Sequence, residues 1–265
     1  MTVHIWGRLS SLNVRKVVWA AQETGVAFTR SDAGMAFGVV KTPEYLAMNP
    51  NALVPTLQDG DFTLWESNAI VRYVLARYAP GPLYPSDLRQ RFDAERWMDW
   101  QQTTLNRASG PAFVQWIRTP AQRRDAAVIA ASVAATEPLL DWLDLHLSRQ
   151  AFMAGDAPTM ADFPIVCELH RWFGLPQPRP AWPHLQRWFD HWLKDAENGI
   201  MDEPPVKLEI RTGGTKRYPF RTENEWPLAR TQWTKWYLQP TQPKAAKHDG
   251  GKTAEGKITT TPPAK

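Results

Sequence analysis

The chain has 265 residues, 43% hydrophobic and 22% charged, enough for one large domain or two small ones with a real core. That composition excludes a collagen-like repeat, a heptad rod and disorder throughout. No run approaches the roughly 18 uninterrupted apolar residues of a membrane span; the best, Ala126 to Ala135, contains Ser132, so no membrane is expected.

The start, Met-Thr-Val-His-Ile-Trp, carries no basic leader and no long apolar core, so no secretory signal is expected. A single cysteine, Cys167, excludes an internal disulfide framework and a multi-cysteine zinc cluster, and fits a reducing cytoplasm. The basic pI of about 9.2 has a local origin. Residues 1–200 hold 19 Lys+Arg against 20 Asp+Glu, whereas residues 201–265 hold 12 against 7. The main body therefore lacks the positive surface that nucleic-acid binding requires, and no nucleic-acid partner is expected.

In chain order, Val3 to Trp6 is a β-prone run. Val14, Val17, Val18 and Ala21 then recur at helical spacing, with Ser10 and Ser11 as N-cap candidates and Gly25 at the C′ position. Ala27 to Arg30 reads as a second strand, followed by a loose loop from Ser31 to Lys41. Val54 to Leu57 and Phe62 to Trp65 read as strands around Asp59-Gly60, necessarily antiparallel. Val71, Val74, Leu75 and Tyr78 mark the next helix, and Leu83 to Leu88 a linker. From Leu88 to Lys194 the period is helical, with breaks at Gly110-Pro111, Thr119-Pro120, Gly155 to Pro158 and Leu175 to Pro183. Thr159-Met-Ala-Asp162 is a capping box opening a helix with Phe163, Val166, Cys167 and His170 on one face. Cys167 and His170 read as a buried, inert thiol beside a core histidine.

The order β-α-β, β-β-α, then all-α resembles the glutathione transferase family over residues 1–195. Asn49-Pro-Asn-Ala-Leu-Val-Pro55 is similar to the segment leading to that family's cis-proline. Trp65-Glu-Ser-Asn-Ala-Ile-Val-Arg-Tyr73 is similar to its glutamate-serine motif, and Ala157-Pro-Thr-Met-Ala-Asp162 to its second capping box. The resemblance implies an α+β fold: a thioredoxin-like domain with a mixed four-stranded sheet over 1–80, then an all-α substrate and dimerisation domain over 88–197. An irregular or disordered tail follows over 198–265.

The resemblance also implies glutathione as co-substrate, no metal, a small apolar electrophile as second substrate, and a cytoplasmic homodimer. Glu66 and Ser67 stand at a helix N-terminus, whose free N–H groups and positive dipole end favour a carboxylate. Ser67 can bond that carboxylate and Glu66 can pair with the ammonium of a γ-glutamyl group. A cis Pro55 would turn the Val54 backbone outward to pair with the cysteinyl residue. Lys41 and Asn51 are candidates for the glycine carboxylate.

At the first helix, Ser11 aligns with the theta-class catalytic serine and Asn13 with the asparagine of nu-like bacterial enzymes; Ser10 lies one residue early. A hydroxyl donating to sulfur favours the thiolate. Plain helix capping is the other reading of Ser10, Ser11, Glu66 and Ser67. Arg8, Leu9, Arg107, Phe113 and Trp116 are candidates for the electrophile pocket. Two further functions stay open: a glutathione-dependent disulfide reductase and a non-catalytic binding module of the same fold.

Beyond residue 189 a second resemblance begins. Phe189-Asp-His-Trp-Leu-Lys194, Asn198 to Val206 and Glu225-Trp-Pro-Leu-Ala-Arg230 resemble cocaine-esterase/X-prolyl-peptidase-type hydrolases up to about residue 240. The nucleophile elbow G-x-S-x-G is missing, so no acyl-hydrolase activity is expected. Val206 to Arg211 alternates like a strand without a partner sheet. Thr241 to Lys265, with five lysines and Ile258 as its one large aliphatic residue, is expected to be disordered.

Overall fold

The computed structural model describes residues 2–194 and the short strands Val206–Glu209, Phe220–Glu223, Tyr237–Pro240 and Gly256–Thr259. By internal contacts the chain divides into two compact units, 1–222 and 223–265.

The first unit opens with a four-stranded mixed sheet of order β2-β1-β3-β4. Strand β1 (Val3–Trp6) runs parallel to β2 (Phe28–Ser31) and antiparallel to β3 (Thr56–Asp59), which pairs antiparallel with β4 (Phe62–Trp65). The parallel pair requires a crossover, supplied by helix α1 (Leu12–Glu23). Its Val14, Val17, Ala20 and Ala21 are buried, and the helix stops at Thr24 and Gly25, the latter at φ +67°. Helix α3 (Ser67–Tyr78) packs Ile70, Val71, Val74 and Leu75 into the same core.

Between them lies a helix absent from the sequence reading, α2 (Pro43–Met48). Thr42 caps it by accepting from the Tyr45 N–H at 3.3 Å, and Pro43 takes the first helical position.

The second half of the unit is helical. Helix α4 (Leu88–Trp100) is capped by Asp87, whose carboxylate accepts from the N–H groups of Arg89 and Gln90. One π turn, Gln101–Leu105, joins it to α5 (Asn106–Phe113), and a second, Val114–Arg118, ends the rod. The break expected at Gly110-Pro111 is not there. Both residues lie inside α5, where burial of Ser109 and Ala112 against α6 (Ala126–Leu147) outweighs the missing proline donor.

Helix α6 is long and apolar enough to cross a membrane by length and composition alone. In the fold it buries Leu140, Leu143 and Leu147, while Asp141 and Asp144 accept from the Trp182 indole and the Leu185 N–H. Helix α7 (Asp162–Phe173) begins at the expected capping box: Thr159 Oγ1 accepts from the Ala161 N–H, and Asp162 accepts from the Thr159 N–H at 2.8 Å. Burial holds the Asp162 carboxyl up at about 6. Helix α8 (Pro183–Lys194) buries Leu185, Trp188 and Phe189. A single cluster of buried apolar side chains runs from Val3 to Phe189, so sheet and helices share one core.

Within the expected irregular tail, β5 (Val206–Glu209) pairs with β6 (Phe220–Glu223), so the strand read at 206–211 does have a partner. In the second unit β7 (Tyr237–Pro240) pairs antiparallel with β8 (Gly256–Thr259), a ladder that replaces disorder at those positions. The remaining tail positions, including Trp226, Trp233 and Trp236, lie outside the described residues.

Candidate active site

The site candidates gather where β1 meets α1. Gly7 ends the strand at φ +149°, and a Cβ there would collide with Val14 Cγ2 and stand 3.2 Å from Val54 Cβ. Only glycine lets the chain pass between the first helix and the 54–55 turn. Ser11 then takes the N-cap position of α1. Its carbonyl accepts from Val14 and Arg15, but its hydroxyl makes no cap bond. The capping role that competed with a chemical one is thus carried by the backbone alone, and the hydroxyl is uncommitted. Ser10 is exposed, and Asn13 is half-buried with Oδ1 buried and without a hydrogen-bond partner.

The Val54–Pro55 bond is cis. Two side chains missed by the sequence reading anchor its approach. Tyr45 Oη donates to the Leu53 carbonyl at 2.7 Å and lies 2.9 Å from Thr56 Oγ1; Asn49 Nδ2 donates to the same two oxygens at 2.9 and 3.1 Å. Asn49 Oδ1 accepts from the backbone and side chain of Asn51. The signal for Asn49 was its place at the head of the proline motif. Tyr45 belonged to the helix that was missed. With Leu53 so anchored, no hydrogen bond among the described residues occupies the Val54 N–H or C=O. Asn51 serves the loop through both its N–H groups, and Lys41 is exposed, without a contact among the described residues.

Glu66, the residue before α3, sits at φ +72°, a region that costs a non-glycine residue about 1–3 kcal/mol. Its side chain is exposed and makes no cap bond. Ser67 is buried at 5% exposure, with no side-chain hydrogen bond among the described residues. Capping is again not what these side chains do: a carboxylate and a hydroxyl stand unengaged at a helix N-terminus.

The electrophile candidates divide. Arg8 is buried beside the Gly7 turn, its pKa lowered by burial and then by the charge of Arg118. The Arg118 guanidinium stacks on the Phe113 ring at 5.1 Å, so Phe113 is tied to Arg8 through Arg118. Leu9 is exposed, and its carbonyl accepts from Arg15 at 2.8 Å. Trp116 is held elsewhere, its indole donating to Gln177 at 3.0 Å and its ring covered by Arg124. Arg107 is exposed and shares none of these contacts among the described residues.

Cys167 is buried, and burial pushes its thiol up to about 12, as expected of an inert thiol. His170 is not a core residue: it is exposed, its ring nitrogen 2.8 Å from Arg15 Nη1. The helix turns it off the apolar face because Arg15 offers a polar partner there. Among the described residues no group of three His, Cys, Asp or Glu side chains is placed to hold a metal ion.

Comparison with known proteins adds three matches along the chain. The family "Glutathione S-transferase, N-terminal domain" matches residues 1–76, and "Glutathione S-transferase, C-terminal domain" matches 126–191. "X-Pro dipeptidyl-peptidase C-terminal non-catalytic domain" matches 198–265, in line with the hydrolase resemblance and the missing nucleophile elbow. Glutathione S-transferase GstB of Escherichia coli is 38% identical over 189 residues, 71% of this chain and 91% of that protein. Elongation factor 1-gamma 1 of Oryza sativa subsp. japonica is 33% identical over 183 residues, 67% of this chain and 43% of that protein. The crystal structure of the theta class glutathione S-transferase from Xanthomonas axonopodis pv. citri, with glutathione bound, is similar at 43% identity and a TM-score of 0.70. It covers 77% of this chain and 96% of that one.

Proposed function

This chain belongs to the glutathione transferase family, and we propose that it binds glutathione as the thiolate beside Ser11 and transfers it to small electrophiles with an apolar body. The observation that carries this reading is the Ser11 hydroxyl, set at the N-terminus of α1 and free of the cap bond it would otherwise make.

In this reading Glu66 and Ser67 receive the γ-glutamyl end, the first pairing with its ammonium and the second donating to its carboxylate. The unengaged Val54 backbone pairs with the cysteinyl residue. Lys41 and Asn51 face the glycine end. The peptide is then pinned at three points, with its sulfur over the start of α1. A hydroxyl donor and the helix dipole both favour the ionised sulfur, so Ser11 lowers the thiol pKa and orients the lone pair. Holding thiolate and electrophile at contact distance supplies the rest of the acceleration. Phe113 and Leu9 give the electrophile its apolar wall. The active species is a cytoplasmic homodimer, which the exposed Phe62, Leu88 and Phe92 support.

Two measurements test the proposal. The protein is expected to be retained on immobilised glutathione and to conjugate a haloarene. Reduction of hydroxyethyl disulfide without conjugation would favour the disulfide reductase instead, a reading supported by the unpaired Asn13 amide oxygen. Absence of retention would leave a binding module of the same fold.

A further inference from the structure

Arg8 is the anomaly among the arginines of this chain. Arg30, Arg72, Arg77, Arg96 and Arg171 each face a carboxylate. Arg8 is 9% exposed, its Nε is buried without a hydrogen-bond partner, and no carboxylate meets it among the described residues. The charge that does bear on it is another cation, Arg118.

Its place is fixed by a second glycine. Gly34, at φ +83°, has Arg8 Nη1 2.7 Å from the point where a Cβ would stand, and the same point lies 3.6 Å from both γ-carbons of Val54. The guanidinium is therefore laid across the 31–38 loop against Val54, three residues before Ser11. A side chain at position 34 would displace it. An arginine does not escape burial by losing its proton, and a buried charge without a partner is unfavourable. The planar fork that remains matches a carboxylate.

We propose that the second substrate carries a carboxylate, which Arg8 and Arg118 receive while the adjoining carbon faces the thiolate. The inference rests on the glutathione transferase reading above and names the substrate class of that site. Glutathione's own carboxylates are accounted for at Glu66-Ser67 and at the glycine end, so the anion beside Val54 and Ser11 belongs to the acceptor. With a 2-haloacid, the glutathione thiol first gives its proton to solvent. The sulfur lone pair then forms the C–S bond as the carbon–halogen bond breaks, and halide leaves with the bonding pair. Phe113, stacked under Arg118, lines the carbon side.

Iodoacetate and iodoacetamide share a leaving group and a reacting carbon and differ in charge. With the full chain, the enzymatic acceleration over the uncatalysed reaction is expected to be greater for iodoacetate. Arg8→Gln is expected to lower the iodoacetate-to-iodoacetamide ratio of kcat/KM about tenfold or more, Arg118→Gln to lower it less, and Arg8→Lys to restore part of it. Arg8→Gln is also expected to raise the Tm of the ligand-free protein, which a structural arginine would not do. An unchanged ratio in both glutamine variants overturns the proposal. So does an equal loss on both substrates with a raised pKa of bound glutathione, which would assign Arg8 to the sulfur. Should Arg8→Gln fail to fold, the ratio in the exposed Arg118→Gln decides. Retention on glutathione with iodoacetamide turnover but no preference for iodoacetate sinks this inference alone; loss of retention and of all turnover in the wild type sinks the transferase reading.

Discussion

Arg8 and Lys16 stand eight residues apart, both buried cations, in opposite surroundings. Lys16 is wholly buried, and its ammonium donates to Gln101 Oε1 at 2.8 Å and Asn68 Oδ1 at 3.2 Å. Gln101 passes the connection on, donating to Glu168 Oε2 at 3.0 Å, and Glu168 in turn accepts from Ser109 and Arg171. The network draws on α1, α3, the π turn after α4, α5 and α7. Arg8 has nothing comparable. A charge buried with every partner supplied by the chain belongs to the architecture; a charge buried without one is waiting for something the chain does not supply.

The comparison breaks most visibly at Glu168. Replacing it with alanine leaves Arg171, Ser109 and Gln101 without their acceptor inside the core, and denaturant unfolding should register a loss of about 3–5 kcal/mol. A pH series sharpens it further. Burial lowers Lys16 to about 8 from its ordinary 10.5. Between those values the folded chain binds fewer protons than the unfolded one, so this group's contribution is fully present above 10.5 and lost as pH falls through 8. The stability of wild type relative to Lys16→Met should therefore climb with pH across that window, by on the order of 2–3 kcal/mol. A flat difference would mean the ammonium is already well accommodated.

On the open side of the comparison, Ser11→Ala should raise the pKa of bound glutathione and reduce turnover by the equivalent of about 1.5–3 kcal/mol, with little change in binding. Titration of the ultraviolet thiolate band checks it, and a larger effect of Ser10→Ala would move the hydroxyl donor by one residue. The smallest effect is expected at Glu66. Glycine there relieves the positive φ, so Glu66→Gly should gain about 1 kcal/mol in thermal unfolding while weakening retention on glutathione.

How much of this the sequence revealed depended on how local each signal was. The sheet order, the Thr159–Asp162 box and the serine at the head of α1 are written in runs of a few residues, and all were legible. Helix α2 was equally local, since Thr42-Pro43 is a cap followed by a first-turn proline; it was passed over because its single buried side chain, Tyr45, leaves no apolar stripe. Gly110-Pro111 misled in the other direction, because packing on α6 overrode propensity. The Lys16 network and the isolation of Arg8 could not be read at all. Lys16 sits between Val14 and Val17 in the sequence like any solvated lysine, and its partners lie 52 and 85 residues away. An absent partner leaves no mark in a sequence.

The two π turns that frame α5 have a consequence for how this protein tolerates change. Each holds one residue more than an α-helical turn would, and each residue of an α-helix is worth about 100° of rotation. They act like a vernier, setting the azimuth at which Ser109 meets Glu168 and Phe113 lies under the guanidinium of Arg118. Many substitutions on the outer face of 101–118 should pass unnoticed. Losing a single residue there, Thr103 for instance, would tighten the first turn to ordinary pitch and swing everything after it by about a quarter of a revolution. Ser109 would leave its carboxylate, and the arginine behind the active loop would face another way. In this stretch length is under stricter constraint than chemistry.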